Sequence, residues 1–252
     1  MLNKAILVAS FALAYSYPHP EKTEDAVKNL ILEIDLAHLT SKPMLKFTDN
    51  FASKEKHATG ETIVLRCEIL SIPSAVVYWQ KDGKLIQGDT NLNLYEKMAN
   101  VGKKIVESGI VSSTLSIPCA SHKDAGVYKC IAANGHKTIE TTTVLEIEGD
   151  DKQCPSTHHT PPRITLQSES RFEMAGNTAT LLCRADKKAK WSWEFEGEVL
   201  DMNKNKYEVL PTGDLVIRDI EWEDMGEYFC TASNKYGEAR GETFLYPTKK
   251  RD

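Results

Sequence analysis

Little in this sequence points to catalysis or to nucleic acid. It has no Gly-rich phosphate loop, no His-Glu-x-x-His zinc motif and no Gly-x-Ser-x-Gly elbow, so common signatures of nucleotide, metalloprotease and hydrolase chemistry are missing. Nor is there a surplus of positive charge. The chain has 252 residues, and 31 Lys and Arg face 36 Asp and Glu, for a formal net charge of -5. Phosphate binding needs a basic surplus or stripe, which excludes nucleic acid as the main partner and also excludes a polybasic membrane anchor. Beyond residue 14 no long apolar run occurs, and the C-terminal Tyr246-Pro-Thr-Lys-Lys-Arg-Asp252 is polar. A membrane span needs about 20 apolar residues and a lipid-anchor signal needs a hydrophobic tail, so no membrane anchor is expected. Asn-x-Ser/Thr is absent, and N-glycans are not expected. General disorder is excluded by a hydrophobic content of 41%.

The one apolar run lies at the start. Lys4 precedes ten apolar or small residues from Ala5 to Ala14, and Ala14, Ser16 and Pro18 follow in order. That is the charged, apolar, small-residue order of a signal peptide, with cleavage expected after Ser16. The mature product is then secreted into an oxidising space, where its six cysteines, at 67, 119, 130, 154, 183 and 230, should pair. Six cysteines allow 15 connectivities.

An internal repeat is the most informative pattern. Leu115, Ile117, Asp124, Gly126, Tyr128, Cys130, Ala132 and Asn134 recur as Leu215, Ile217, Asp224, Gly226, Tyr228, Cys230, Ala232 and Asn234, an offset of 100 at all eight positions. Leu-x-Ile places two side chains on one face of a strand, as does Tyr-x-Cys. Upstream, Cys67 is followed by Trp79 and Cys183 by Trp193. A Cys, then a Trp, then Asp-x-Gly-x-Tyr-x-Cys resembles the immunoglobulin framework, with Tyr128 and Tyr228 as tyrosine corners. The expected fold is all-β: two tandem immunoglobulin-like sandwiches of the I-set/C2 type, at residues 43–148 and 162–248. A signal peptide (1–16), a lead segment (17–42) and a proline-bearing linker (149–161) surround them. Apolar spacing over Glu24–His38 suggests a short helix in the lead segment.

The resemblance implies the bridges Cys67–Cys130 and Cys183–Cys230, and leaves Cys119 and Cys154. Cys119 follows the fifth strand, Cys154 follows the last strand of domain 1, and in such a sandwich both ends meet at one pole. We therefore expect a third bridge, Cys119–Cys154; the alternative leaves two free or intermolecular thiols. Gly88–Lys104 makes domain 1 longer than domain 2 by 16 residues between its first cysteine and the fifth strand. Its polarity suggests a surface loop or an extra edge strand.

No metal or cofactor is expected. His158 and His159 lie near Cys154, but that cysteine is expected in a disulfide in an oxidising space, and Glu221, Glu223 and Asp224 lack the ligand spacing of a calcium loop. What remains is binding by surface. Strand parity turns Val76, Tyr78 and Ile131 outward from neighbouring strands as a candidate apolar patch, with the lead segment as its alternative cover. Trp222, on a turn of domain 2, is a second candidate.

The run Thr212-Gly-Asp-Leu-Val-Ile-Arg-Asp-Ile-Glu-Trp-Glu-Asp-Met-Gly-Glu-Tyr-Phe-Cys230, followed by Thr243-Phe-Leu-Tyr-Pro247, resembles two secreted two-domain families. One is the nematode zwei-Ig proteins, and the other is the insect imaginal-disc late-gene family of insulin-peptide binders. The first resemblance implies a non-enzymatic extracellular monomer. It would hold axons and cell bodies in position after the nervous system is built, through a neuronal surface receptor or matrix component. The second implies sequestration of an insulin-like peptide. Neither carries catalytic residues.

Overall fold

The computed structural model describes residues 39–90, 93–150, 152–154, 159–202 and 205–248. The expected signal peptide and the helical spacing over residues 24–38 lie outside the described residues. Domain 1 contains β1 (Met44–Phe47), β2 (Lys54–Ala58), β3 (Ile63–Ile72), β4 (Val76–Lys81), β5 (Lys84–Gly88), helix α1 (Leu94–Ala99), β6 (Ser108–Ile117), β7 (Gly126–Ala133) and β8 (Thr138–Glu148). Domain 2 contains β9 (Ile164–Met174), β10 (Ala179–Leu181), β11 (Cys183–Ala185), β12 (Lys190–Phe195), β13 (Glu198–Val199), β14 (Tyr207–Val209), β15 (Leu215–Ile217), β16 (Gly226–Asn234) and β17 (Gly237–Thr248).

Period-two patterning builds both cores. On β3, Ile63, Leu65, Cys67 and Ile69 point inward while Val64 and Arg66 face solvent. Trp79 and Trp193 are wholly buried, each beside a bonded cysteine pair, Cys67–Cys130 and Cys183–Cys230. The Trp79 indole donates to Ser113 Oγ at 2.9 Å and that of Trp193 to the Gly213 carbonyl at 2.9 Å, satisfying the one polar atom that each ring buries. The repeat persists residue by residue. Single turns of 3₁₀ helix span His122–Asp124 and Trp222–Asp224, and the Tyr128 and Tyr228 hydroxyls donate to the carbonyls of Asp124 and Asp224 at 2.7 and 3.0 Å. Gly126 and Gly226 serve a close approach: a Cβ on either would strike the Asp82 or Glu196 carboxylate, which accepts the next backbone N–H.

The domains differ where they meet. Strand β6 has ten residues and its repeat partner β15 only three. The extra length pairs antiparallel with β9, from Ser108↔Phe172 to Ser113↔Leu166, across a bulge at Ile110/Val111. A single nine-stranded sheet therefore runs through both domains in the order β1-β3-β6-β9-β17-β16-β12-β13, with β11 also on β9. The remaining sheets are β2-β8-β7-β4-β5 in domain 1 and β10-β15-β14 in domain 2. Domain 2 thus starts as a strand on domain 1 rather than at the end of a free tether. The linker is held as well: Cys154 is bonded to Cys119, and the His122 ring meets the Gly149 carbonyl at 2.8 Å.

The 16-residue surplus of domain 1 corrects the expectation of a surface loop or edge strand. It carries α1, capped by Asn93 Oδ1 accepting from Glu96 N at 3.3 Å, and it packs on domain 2. The helix is inverted: Glu96, Lys97 and the following Asn100 are buried, whereas Tyr95 and Met98 are exposed.

Candidate binding face

Polar groups buried at the joint tie the two domains together. The Asn100 side chain bonds Thr178 as a strand would, its Nδ2 donating to the carbonyl at 2.7 Å and its Oδ1 accepting the N–H at 2.8 Å. Asn177 Nδ2 reaches the Lys104 carbonyl at 2.8 Å. Glu173, fully buried, accepts from the N–H groups of Val106, Glu107 and Met174 at 3.0, 3.1 and 2.7 Å and from Asn177 at 3.0 Å. Arg171 joins Glu173 at 3.2 Å, Ser74 Oγ at 2.8 Å and Glu96. Glu96 also accepts from Thr180 N at 2.8 Å, and Lys97 pairs with Glu107 at 3.2 Å. Each of these charges has an ionic partner, the condition under which burial of charge is tolerated. Burial raises Glu107 to about 7 against the opposing pull of Lys97. It also raises Glu96, opposed by Arg171.

On the opposite side of β9 the joint faces solvent. Phe172 on β9 stands opposite Tyr246 on β17, with ring centroids 5.6 Å apart. Trp222 meets Tyr246 edge-on at 5.7 Å. Phe244 lies two residues before Tyr246 on the same face, and Ile110 of β6 continues the row into domain 1 opposite Ser170. Phe172, Phe244 and Trp222 are 37%, 39% and 40% exposed, so a band of aromatic rings from domain 2 lies on this face of the continuous sheet, beside the joint. Beside it runs a polar groove of about 500 Å³ lined by Arg66, Ser112, Gln167 and Arg240 among others. There the Glu169 carboxylate gathers Arg66 at 2.9 Å, Ser112 Oγ at 2.5 Å and Gln167 Nε2 at 3.0 Å. Aromatic anchors flanked by a polar, hydrogen-bonded rim are the makeup of a protein-binding surface.

The patch expected in domain 1 is corrected. Tyr78 and Ile131 do pair across β4 and β7, but Ile131 is only 5% exposed and Val76 and Tyr78 are half-buried. Val76 lines a cavity between the domains together with Val77, Leu166 and Arg171. Parity fixes the side of a sheet a residue takes, not whether another element lies on that side. Trp222 alone of the four stands on an open surface, at the end of the aromatic band. Phe172, Phe244 and Tyr246 escaped sequence reasoning, although the alternation Phe244-Leu245-Tyr246 with Leu245 inward was a readable signal.

Among the described residues, no cluster of His, Cys, Asp and Glu suits a metal ion, and no helix is long and apolar enough to cross a membrane. Two disulfide-bridged sandwiches with buried tryptophans and tyrosine corners define an immunoglobulin-domain protein, and the family described as Immunoglobulin domain matches residues 46–134 and 161–234. The chain is 50% identical to Zwei Ig domain protein zig-3 of Caenorhabditis elegans over 97% of its own length and 98% of the relative. It is 46% identical to zig-4 of the same nematode over 98% of each chain. The chain belongs to the zwei-Ig family. It is also 28% identical to the Drosophila melanogaster neural/ectodermal development factor IMP-L2, over 90% of this chain and 82% of that one. The crystal structure of IMP-L2 superposes with a TM-score of 0.65 at 26% identity, covering 82% of this chain and 96% of that one.

Proposed function

We propose that this protein is secreted and acts without catalysis, by binding an extracellular protein through the aromatic band that lies on domain 2 beside its domain joint. In this reading the partner is a neuronal surface receptor or matrix component, and the role is to keep axons and cell bodies in place in the finished nervous system. The observation that carries the reading is the band itself: exposed aromatic rings of domain 2 on a sheet that runs through both domains, with a buried polar joint on its other side. A pre-ordered face loses little conformational freedom on binding. Three disulfides fit an oxidising, extracellular location. The resemblance to the zwei-Ig proteins, backed by 50% identity to zig-3, and the likeness to a relative named a neural/ectodermal development factor support the neural role.

A second reading, sequestration of an insulin-like peptide, is favoured by the likeness to IMP-L2 over both domains together with the resemblance drawn from the C-terminal motifs. One screen separates the two: the full chain against neuronal surface ectodomains and against insulin-like peptides. Binding to the peptides alone would select the second reading. Whichever partner binds, Phe172→Asp with Phe244→Asp should weaken it by about 2 kcal/mol or more, roughly 30-fold, with an unchanged circular dichroism spectrum. Undiminished affinity in that folded variant rules out the band.

A further inference from the structure

The domain 2 pole farthest from Trp222 has a different chemistry. It is formed by the turn between β11 and β12, the turn between β16 and β17, and the chain entering β9. The first turn reads Asp186-Lys-Lys-Ala-Lys190, and Lys235 sits at the tip of the second. The pairing of β12 with β16 brings them together. Lys190 stands opposite Ser233, whose Oγ donates to the Lys190 carbonyl at 3.4 Å. Asn234 Nδ2 donates to the Thr160 carbonyl at 3.0 Å, and Lys187 Nζ donates to the Thr160 hydroxyl. Three segments distant in sequence therefore close on one residue and set four ammonium groups at a single end of the molecule.

Little opposes them. Asp186 is taken by Arg163, which binds it through its backbone N–H at 2.9 Å and its Nε at 3.0 Å. Of the described residues in these segments, Glu238 is the other carboxylate. The local surplus is thus about three positive charges, on a chain whose formal charge is -5. Lys188, Lys190 and Lys235 are exposed. Lys235 Nζ lies 4.8 Å from the Tyr236 ring centroid and the His159 ring packs on Tyr236 at 5.1 Å, so an aromatic platform adjoins the charges.

We propose that this pole binds a sulfated polysaccharide of the extracellular matrix. Lysine ammoniums are hydrated point charges without the fork of arginine, so such a pole reads the charge density of a polyanion rather than the oxygen geometry of one group. Runs of this kind mark polyanion sites. In the oxidising space that the disulfides indicate, sulfated glycans are the abundant linear polyanions. The site goes beyond the aromatic band and does not depend on it.

The test uses the full mature chain on immobilised heparin, with chemically desulfated heparin and a DNA duplex as controls. The variant is Lys188→Ser with Lys190→Ser and Lys235→Ser; it leaves Lys187 in its bond to Thr160. The wild type should be retained above 0.15 M salt, and the variant should bind at least tenfold more weakly. The slope of log affinity on log salt should fall by about 2 to 3, near 0.9 for each lost contact. A variant that elutes with the wild type overturns the proposal. So does equal retention on desulfated heparin, or equally tight binding to DNA. Loss of heparin binding with ectodomain or peptide binding intact separates this site from the band.

Discussion

Replacing Arg171 with methionine tests the joint most directly. Arg171 is buried, and its guanidinium bonds Glu96, Glu173 and Ser74. Three carboxylates (Glu96, Glu107, Glu173) and two cations (Lys97, Arg171) share the site, so the substitution moves its formal charge from -1 to -2. Methionine keeps much of the volume but none of the hydrogen bonds. Glu173 retains three backbone donors and Asn177, whereas Glu96 keeps Thr180 N and Asn93. Removing one member of a buried ion pair costs about 3–5 kcal/mol, which for a protein of this size lowers Tm by roughly 6–20 °C. Thermal melts followed by near-ultraviolet circular dichroism measure it. Adding Glu96→Gln should recover about 1 kcal/mol or more, because it removes the carboxylate left most exposed to the loss. The single variant should also suffer less as pH falls, since Glu96, already raised by burial, is protonated more readily once Arg171 is gone. An Arg171→Met protein within about 0.5 kcal/mol of the wild type, the range of ordinary surface changes, would refute the claim that these charges clamp the domains.

Two further outcomes follow from the same geometry. Glu107 is raised to about 7 in the folded state by burial, so the native protein holds a proton that the unfolded chain releases from about pH 4.5. Stability from this group is present below that pH and declines as pH rises towards and through 7; urea melts at pH 5.5 and 8 should show the fall, and Glu107→Gln should flatten it. Paired replacement of Cys119 and Cys154 by serine removes a bridge between residues 35 apart. It should cost about 3–4 kcal/mol of stability, read from denaturant midpoints under non-reducing conditions, and leave the Cys67–Cys130 and Cys183–Cys230 bridges in place.

The sandwiches were legible because their signals are local. Period-two alternation around Cys67 and Cys183, the two tryptophans and the offset of 100 all act within one domain, and strand parity reads them directly. The joint was illegible for physical reasons. Pairing between β6 and β9 uses backbone groups, which leave no mark on side-chain pattern. Helix α1 turns Glu96, Lys97 and Asn100 inward and Tyr95 and Met98 outward, the reverse of the rule by which apolar periodicity orients a helix. A charged stretch reads as solvated unless its partners are known, and here they lie 75 residues away, between Glu96 and Arg171. The lysines of domain 2 were hidden in the same way: a net acidic composition conceals a basic pole until folding gathers it.

The shared sheet also bears on how such a chain can be cut or recombined. If domain 1 were expressed alone, β6 would lose its neighbour and become a ten-residue edge with its backbone groups unpaired along the stretch that β9 occupies. Such an edge is a template for pairing with another copy. Domain 2 alone would likewise lose the partner on one side of its first strand. Many tandem modules can be shuffled like beads, each surviving transfer to a new context. Here the boundary between modules is itself a pair of strands, so a cut at that boundary unpairs an edge on both modules at once.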